Sequence, residues 1–334
     1  PELAVLFAYA KQDLTNALID SDVPDREDVT ADLAEYFPTE VSDRFGHLLS
    51  DHPLRREILA TVLANRVLND EGITFVNRLV METGATRAEV VPAYRVAHRL
   101  IDAKERWRAV ESLHVDVEPS TRRELLDAID WLAESVTRWY LSRPGGLPNP
   151  DELEAAREAF SVLERCFSDE DFVKLREKRS VQIEELESAG VSLDLATRHA
   201  YHDELVHAPD IIDLAHRTGR DVRAVARLFI LIGDRYSLDW LERRVDALTA
   251  SSRWDRWAIR SLEGELVRLR SDIAEWVLAE SGDEEPEVAL DAYARKRSER
   301  HSRLNQFMQL LDQEGSSDLD PLLVAAQQVR ALAR

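Results

Sequence analysis

Glycine is scarce and dispersed in this chain: of 11 glycines in 334 residues, only Gly145 and Gly146 lie closer together than a full helical turn. A phosphate cradle gathers several glycines in one strand-to-helix turn, where bare backbone N–H groups approach the anion. Neither a GxGxxG nor a P-loop pattern is present, which excludes both common nucleotide sites. The one cysteine, Cys166, excludes an internal disulfide framework and any multi-cysteine zinc or iron–sulfur centre, and fits a reducing, cytoplasmic compartment. No uncharged apolar run approaches the roughly 18–20 residues of a membrane span, and the N-terminus lacks the basic-then-apolar layout of a signal peptide. Positive charge is in deficit: 43 Lys plus Arg against 64 Asp plus Glu leave a net charge of −21. Such a surface repels phosphate backbones and anionic lipid, so neither nucleic acid nor membrane is expected as a partner.

Strict alternation of apolar and polar residues over a strand's length is also missing, whereas apolar residues recur every three or four positions almost throughout. The pattern predicts an all-α fold. With 44% hydrophobic residues the chain can build a sizeable core, and a length above about 250–300 residues favours two subdomains. Helices are expected at 2–20, 30–37, 40–50, 54–70, 73–83, 87–101, 104–113 and 120–141, then at 151–166, 169–189, 192–206, 209–217, 221–234, 237–248, 252–280, 286–312 and 318–333. Thr86 with Glu89 and Thr121 with Glu124 have capping-box spacing. The Pro/Gly-rich stretch 144–150 reads as a linker between an N-terminal subdomain, 1–143, and a C-terminal one, 151–334. The chain opens at Pro1 without an initiator Met and enters an amphipathic pattern at once, through Leu3, Leu6, Phe7, Ala10 and Leu14, a layout expected of a piece of a longer protein.

The two halves share a weak repeat of packed helical hairpins. At an offset of 135 residues, Val76, Leu79, Thr83, Gly84, Val90 and Tyr94 fall on Ile211, Leu214, Thr218, Gly219, Val225 and Phe229, with Trp107 and Trp240 two places out of register. Further on, Leu262, Leu266, Leu269, Ile273 and Trp276 form the seam of a helix packed lengthwise on another. Tyr293, Leu304, Phe307, Met308 and Leu311 share one later helix, whose lead-in is the acidic run Asp283-Glu284-Glu285 and whose basic run 295–300 reads as solvated.

Chemistry-bearing patterns are few. Glu111 with His114 and Glu204 with His207 have the i, i+3 spacing of carboxylate-bridged di-metal bundles, but 33 Glu and 9 His in this length give about one such pair by chance. His199 and His202 lie one turn apart on a polar stretch and read as solvated. Ala215, Gly219 and Val225 imitate a helix-turn-helix core followed by Arg220, Arg223 and Arg227, a pattern that also describes any two packed helices. Trp254 and Trp257, interleaved with Arg253 and Arg256, are expected as a buried staple at a helix start, and Cys166 as a core residue.

Four dense blocks, Pro1-Glu2-Leu3-Ala4-Val5-Leu6-Phe7-Ala8-Tyr9-Ala10-Lys11, Tyr36-Phe37-Pro38, Leu54-Arg55-Arg56-Glu57-Ile58-Leu59-Ala60-Thr61 and Gly72-Ile73-Thr74-Phe75-Val76, resemble the C-terminal region of the very large NAD-specific glutamate dehydrogenases of bacteria. The resemblance continues through Glu82-Thr83-Gly84-Ala85, Thr137-Arg138-Trp139, Leu238-Asp239-Trp240-Leu241 and Arg253-Trp254, and loosens after residue 260. It implies a parent enzyme that deaminates L-glutamate to 2-oxoglutarate with NAD, assembles as a homo-oligomer, and carries its dinucleotide fold and catalytic residues upstream. This chain would hold no catalytic, cofactor or metal residue. Its partners would be the upstream catalytic domain of the same polypeptide and further copies of the parent. Leu3, Leu6, Phe7 and Leu14 would pack, with an apolar patch left near the first helix. Tyr36, Phe37, Pro38, Arg55, Arg56 and Glu57 would meet the catalytic domain. A stand-alone helical interaction module, and less so a di-metal bundle enzyme, are the alternatives.

Overall fold

The computed structural model describes residues 2–143, 145–282, 284–314 and 318–332, which form 19 α-helices and no strand. Pro1, Pro144, Asp283 and Ala333, all used in the sequence reading, fall outside the described residues, as does the side chain of Arg253. Two compact units are present. One comprises Pro1–Ser112 with Arg122–Glu154, the other Leu113–Thr121 with Ala155–Arg334.

The first unit contains α1 (Glu2–Ile19), α2 (Thr30–Tyr36), α3 (Thr39–Leu49), α4 (Arg55–Glu71), α5 (Phe75–Thr83), α6 (Arg87–Leu100), α7 (Ala103–Glu111) and most of α8 (Pro119–Ser142). Its core is built on α4, where Leu59, Ala60, Leu63, Ala64, Val67 and Leu68 are buried, and α1, α2 and α6 pack on that helix. Local chemistry sets the boundaries. Gly84 ends α5 in the left-handed conformation at φ 76°, where a Cβ would be strained. Thr86 then starts α6 with a complete capping box: its hydroxyl accepts from Glu89 N and the Glu89 carboxylate accepts from Thr86 N at 2.7 Å. Thr86→Ala is expected to cost about 1 kcal/mol, read as faster hydrogen exchange at the start of α6. Thr121 is no cap. Pro119, lacking an N–H and pre-set in φ, starts α8 two residues earlier and leaves Thr121 inside the first turn.

The second unit contains α9 (Pro150–Cys166) from Ala155 onward, α10 (Val173–Ser188), α11 (Leu193–Ala200), α12 (His202–Leu205), α13 (Ala208–Thr218), α14 (Val222–Arg235), α15 (Leu238–Asp246), α16 (Arg253–Ser281), α17 (Pro286–Lys296), α18 (Ser298–Glu314) and α19 (Leu319–Leu332). The long α16 is its axis: Leu262, Leu266, Leu269 and Ile273 are at most 2% exposed, and α13, α14, α15, α17 and α19 pack against it. Two expected single helices are broken in two. Tyr201, itself buried, interrupts the first between α11 and α12, and Arg297 the second between α17 and α18. There the Arg297 guanidinium lies 3.7 Å from the centre of the Tyr293 ring and reaches Glu280 at 2.8 Å, contacts that hold its backbone at φ −119°. The basic run is thus partly paired rather than merely solvated.

Elements recur across the units at one spacing. α6 and α14 have 14 residues each and α7 and α15 nine each, with starts 135 residues apart. Asp102 and Ser237, the non-glycine residues of positive φ among the described ones, are also 135 apart and immediately precede α7 and α15.

Candidate functional site

The expected contact residues lie where α2, α3 and α4 meet. Tyr36 is 54% exposed and sets its ring edge-on to Phe37 at 5.3 Å, while Phe37 packs against the core and 5.8 Å from His52. Pro38 is exposed at the start of α3, and Glu57 is exposed on the first turn of α4. Arg55 donates to Thr30 Oγ1 at 3.3 Å and faces Asp25 at 3.8 Å. Arg56 is committed inside the unit: Nε donates to Ile19 O at 2.7 Å, Nη2 to Ser21 O and Nη1 to Asp25. Those carbonyls at the end of α1 have no helical partner of their own, and the guanidinium satisfies them. On α1 itself, Leu14 is buried and Phe7 half-buried, but Leu3 and Leu6 are 71% and 55% exposed. They do not pack as expected: on α1 the residues that are buried, Leu14 and Leu18, lie in its second half. With Val5 and Tyr9, Leu3 and Leu6 leave an apolar surface near the first helix.

Sequence reasoning missed two buried polar clusters. In the first unit, His98 Nε2 lies 2.9 Å from Glu71 Oε1, with the imidazole 3.9 Å from the Tyr94 ring centre and 5.2 Å from that of Trp107. Tyr94 donates to Asp70, and Trp107 Nε1 to Asp130 at 3.1 Å. Burial, helped by the charges of Glu134 and Asp70, pushes Glu71 up to about 8, and burial drives His98 down to about 4. In the second unit Arg270, 2% exposed, donates Nη2 to Asp239 at 2.7 Å and to Glu242 at 2.9 Å, and Lys178 reaches Asp239 at 3.1 Å. Burial pushes Asp239 up, but the charges of Arg270 and Lys178 outweigh it and hold the carboxyl below its usual range. Gly233 makes room for this cluster: a Cβ there would lie 2.3 Å from Asp239 Oδ1 and 2.8 Å from Arg270 Nη1. The signals were present, since Arg270 follows Leu262 and Leu266 at four-residue spacing on the buried stripe, and an isolated glycine inside a helix marks close approach.

The remaining candidates are accounted for by their neighbours. Glu111 and His114 are both exposed. Glu204 and His207 are buried, but Glu204 is held by Arg179 at 2.7 Å and His207 faces Glu242 at 3.8 Å. His199 and His202 are each 6% exposed rather than solvated, with ring centres 5.4 Å apart, and His202 Nδ1 lies 3.1 Å from His199 O. Among the described residues, no group of three or more His, Cys, Asp or Glu could hold a metal ion. Arg223 and Arg227, on the second helix of the helix-turn-helix-like pair, are spent on Asp169 and Glu287. Trp254 and Trp257 form no buried staple: they are 67% and 51% exposed, edge to face at 6.4 Å, because α16 enters the core only at Ile259. Cys166 is buried, and burial pushes its thiol up to about 12. No described helix is long and apolar enough to cross a membrane.

Comparison with known proteins decides the family. Residues 1–331 match the family described as "Glutamate dehydrogenase, C-terminal". The chain belongs to this glutamate dehydrogenase C-terminal family. Similar curated proteins are NAD-specific glutamate dehydrogenases. That of Halomonas elongata is 29% identical over 99% of this chain, that of Pseudomonas aeruginosa 30% over 79%, and that of Mycobacterium tuberculosis 29% over 100%. The matched stretch spans only 20%, 16% and 21% of those relatives. Within this family domain Arg56 bonds inside its own unit, to Ile19 O, Ser21 O and Asp25.

Proposed function

We propose that this chain is the helical, non-catalytic C-terminal domain of a large NAD-dependent glutamate dehydrogenase, packing on the catalytic domain upstream in the same polypeptide and contributing to subunit contacts. The family match over residues 1–331, in relatives of which the chain spans about a fifth, carries the reading. The parent reaction converts L-glutamate and NAD to 2-oxoglutarate, ammonium and NADH. Glycines of positive φ such as Gly84 and Gly219 sit singly at separate helix ends among the described residues, which supports placing the dinucleotide site elsewhere in the parent. Buried ionisable groups such as Glu71 with His98 and Arg270 with Asp239 face one another. Tyr36, Pro38 and Glu57 offer the contact surface, Phe37 and Arg55 anchor it, and Arg56 holds the platform beneath. The test is glutamate-dependent NADH formation at 340 nm, assayed with the full-length polypeptide and with this chain alone. Activity is expected from the former only. Turnover by the 334-residue chain, or none by an intact full-length polypeptide, would overturn the proposal.

A further inference from the structure

Exposed large apolar side chains are unevenly spread. Of the 19 such residues among the described ones, eight lie within the first 54 positions, so one region of the first unit carries them disproportionately. Four of them, Leu3, Val5, Leu6 and Tyr9, lie on α1, and α3 carries a second exposed face. Val41, Phe45 and Leu48 fall at i, i+4 and i+7 on one face; Val41 is half-buried, Phe45 41% exposed and Leu48 53% exposed. Glu40, Asp43 and His47 are also exposed on this helix. The helix packs on α2, to which Ser42 Oγ donates at Ala34 O (2.8 Å), and only Leu49 of its eleven residues is buried. An isolated helix of this length is marginal in water, and most helical stability comes from burying an apolar face.

We infer that α3 is a docking helix whose Val41–Phe45–Leu48 face is received by a groove of the polypeptide upstream of this domain. The inference rests on the function proposed above and deepens it by assigning the partner to one helix face. Anchors at i, i+4 and i+7 are the spacing by which an amphipathic helix lies in an apolar groove. The upstream polypeptide is favoured as occupant because the matched stretch makes up only 16–21% of the relatives, which leaves a long remainder to supply a groove. A tethered segment meets the face at an effective concentration in the millimolar range, so three half-exposed anchors suffice. A second copy must instead overcome the mutual repulsion of two chains each carrying a net charge of −21.

The test places the photocrosslinker p-benzoylphenylalanine at position 45 of the full-length parent, with a second preparation carrying it at Val181, which is 61% exposed on α10. Heavy and light isotopic subunits are mixed before irradiation, and crosslinked peptides are mapped by mass spectrometry. The expected result is a crosslink from position 45 to residues N-terminal to this domain within one subunit, at least tenfold more abundant than from position 181. A heavy–light crosslink between copies of this domain, a crosslink confined to this domain, or equal yields from the two positions would overturn the inference. Glutamate-dependent NADH formation is measured on the same unirradiated preparation and on the unsubstituted full-length polypeptide. An active enzyme with a wrong crosslink sinks the docking inference alone, whereas inactivity of the unsubstituted full-length polypeptide sinks the functional reading.

Discussion

Arg270→Met is expected to destabilise the second unit by about 3 kcal/mol at pH 7, because removing one partner of a buried ionic cluster strands the others. Arg270 is the largest side chain among those fully buried, and its Nη2 serves Asp239 and Glu242 together. Methionine refills much of the aliphatic volume but leaves the two carboxylates with only Lys178 and His207 nearby. Gly233→Ala attacks the same cluster from α14, since its Cβ cannot coexist with Asp239 Oδ1 at 2.3 Å. The double variant is therefore expected to be less destabilised than the sum of the singles. Once the guanidinium is gone, Asp239, already 23% exposed, can turn toward water and release the clash. Hydrogen exchange of α14, α15 and α16 amides measures the effect, with α4 and α6 as internal reference. Additive costs would show that Gly233 and Arg270 act separately. The sign with pH also follows. Asp239 is held low in the folded chain, so its contribution is present above the roughly 3.9 of an unfolded aspartate and lost as pH falls through its folded value. The difference between wild type and Arg270→Met should thus narrow in acid.

That cluster shows where the sequence was legible and where it was not. Helical periodicity placed α4, α6, α14 and α16 within two residues, because each buries a stripe whose spacing is written in the chain. Breaks at Tyr201 and Arg297 were not legible, since neither residue is a helix breaker and each interruption is imposed by tertiary contacts, such as Arg297 on Tyr293 and Glu280. Of the surface candidates, Tyr36 and Pro38 stand in solvent, whereas Arg56 turns inward, which the sequence did not show: the open carbonyls at the end of α1 compete for a guanidinium, and their position is set by the packing of α1 on α4. Exposure of Trp254 and Trp257 followed the same logic in reverse: i, i+3 spacing says that two indoles can touch, not that a third element covers them.

Between pH 6.5 and 8 the stability of the first unit is expected to fall by up to about 2 kcal/mol, and Glu71→Gln should abolish the fall. Glu71 and His98 are 4% and 11% exposed in their side chains, and a buried pair of this kind is cheapest when neutral. Asp70 and Glu134 raise the Glu71 carboxyl further against Arg78, and around His98 the charges of Asp70 and Asp130 are opposed by Arg66 and Lys104. With Glu71 near 8 and His98 near 4, the folded pair at neutral pH is a carboxylic acid donating to an unprotonated Nε2. The unfolded chain has already released the Glu71 proton, so this contribution is fully present below the unfolded value and is lost as pH rises through 8. His98 acts oppositely, adding stability as pH rises from about 4 to the unfolded value near 6.5, and is constant beyond. Asp130, raised by burial to about 6, loses its share mostly below the same point. Of these three groups Glu71 alone titrates between 6.5 and 8. Glutamine keeps a donor for Nε2 and removes the ionisation, so exchange of α4 and α6 amides should become flat with pH in the variant. A wild-type profile that is already flat would mean that the folded pair holds no proton in this range, a carboxylate facing a neutral imidazole.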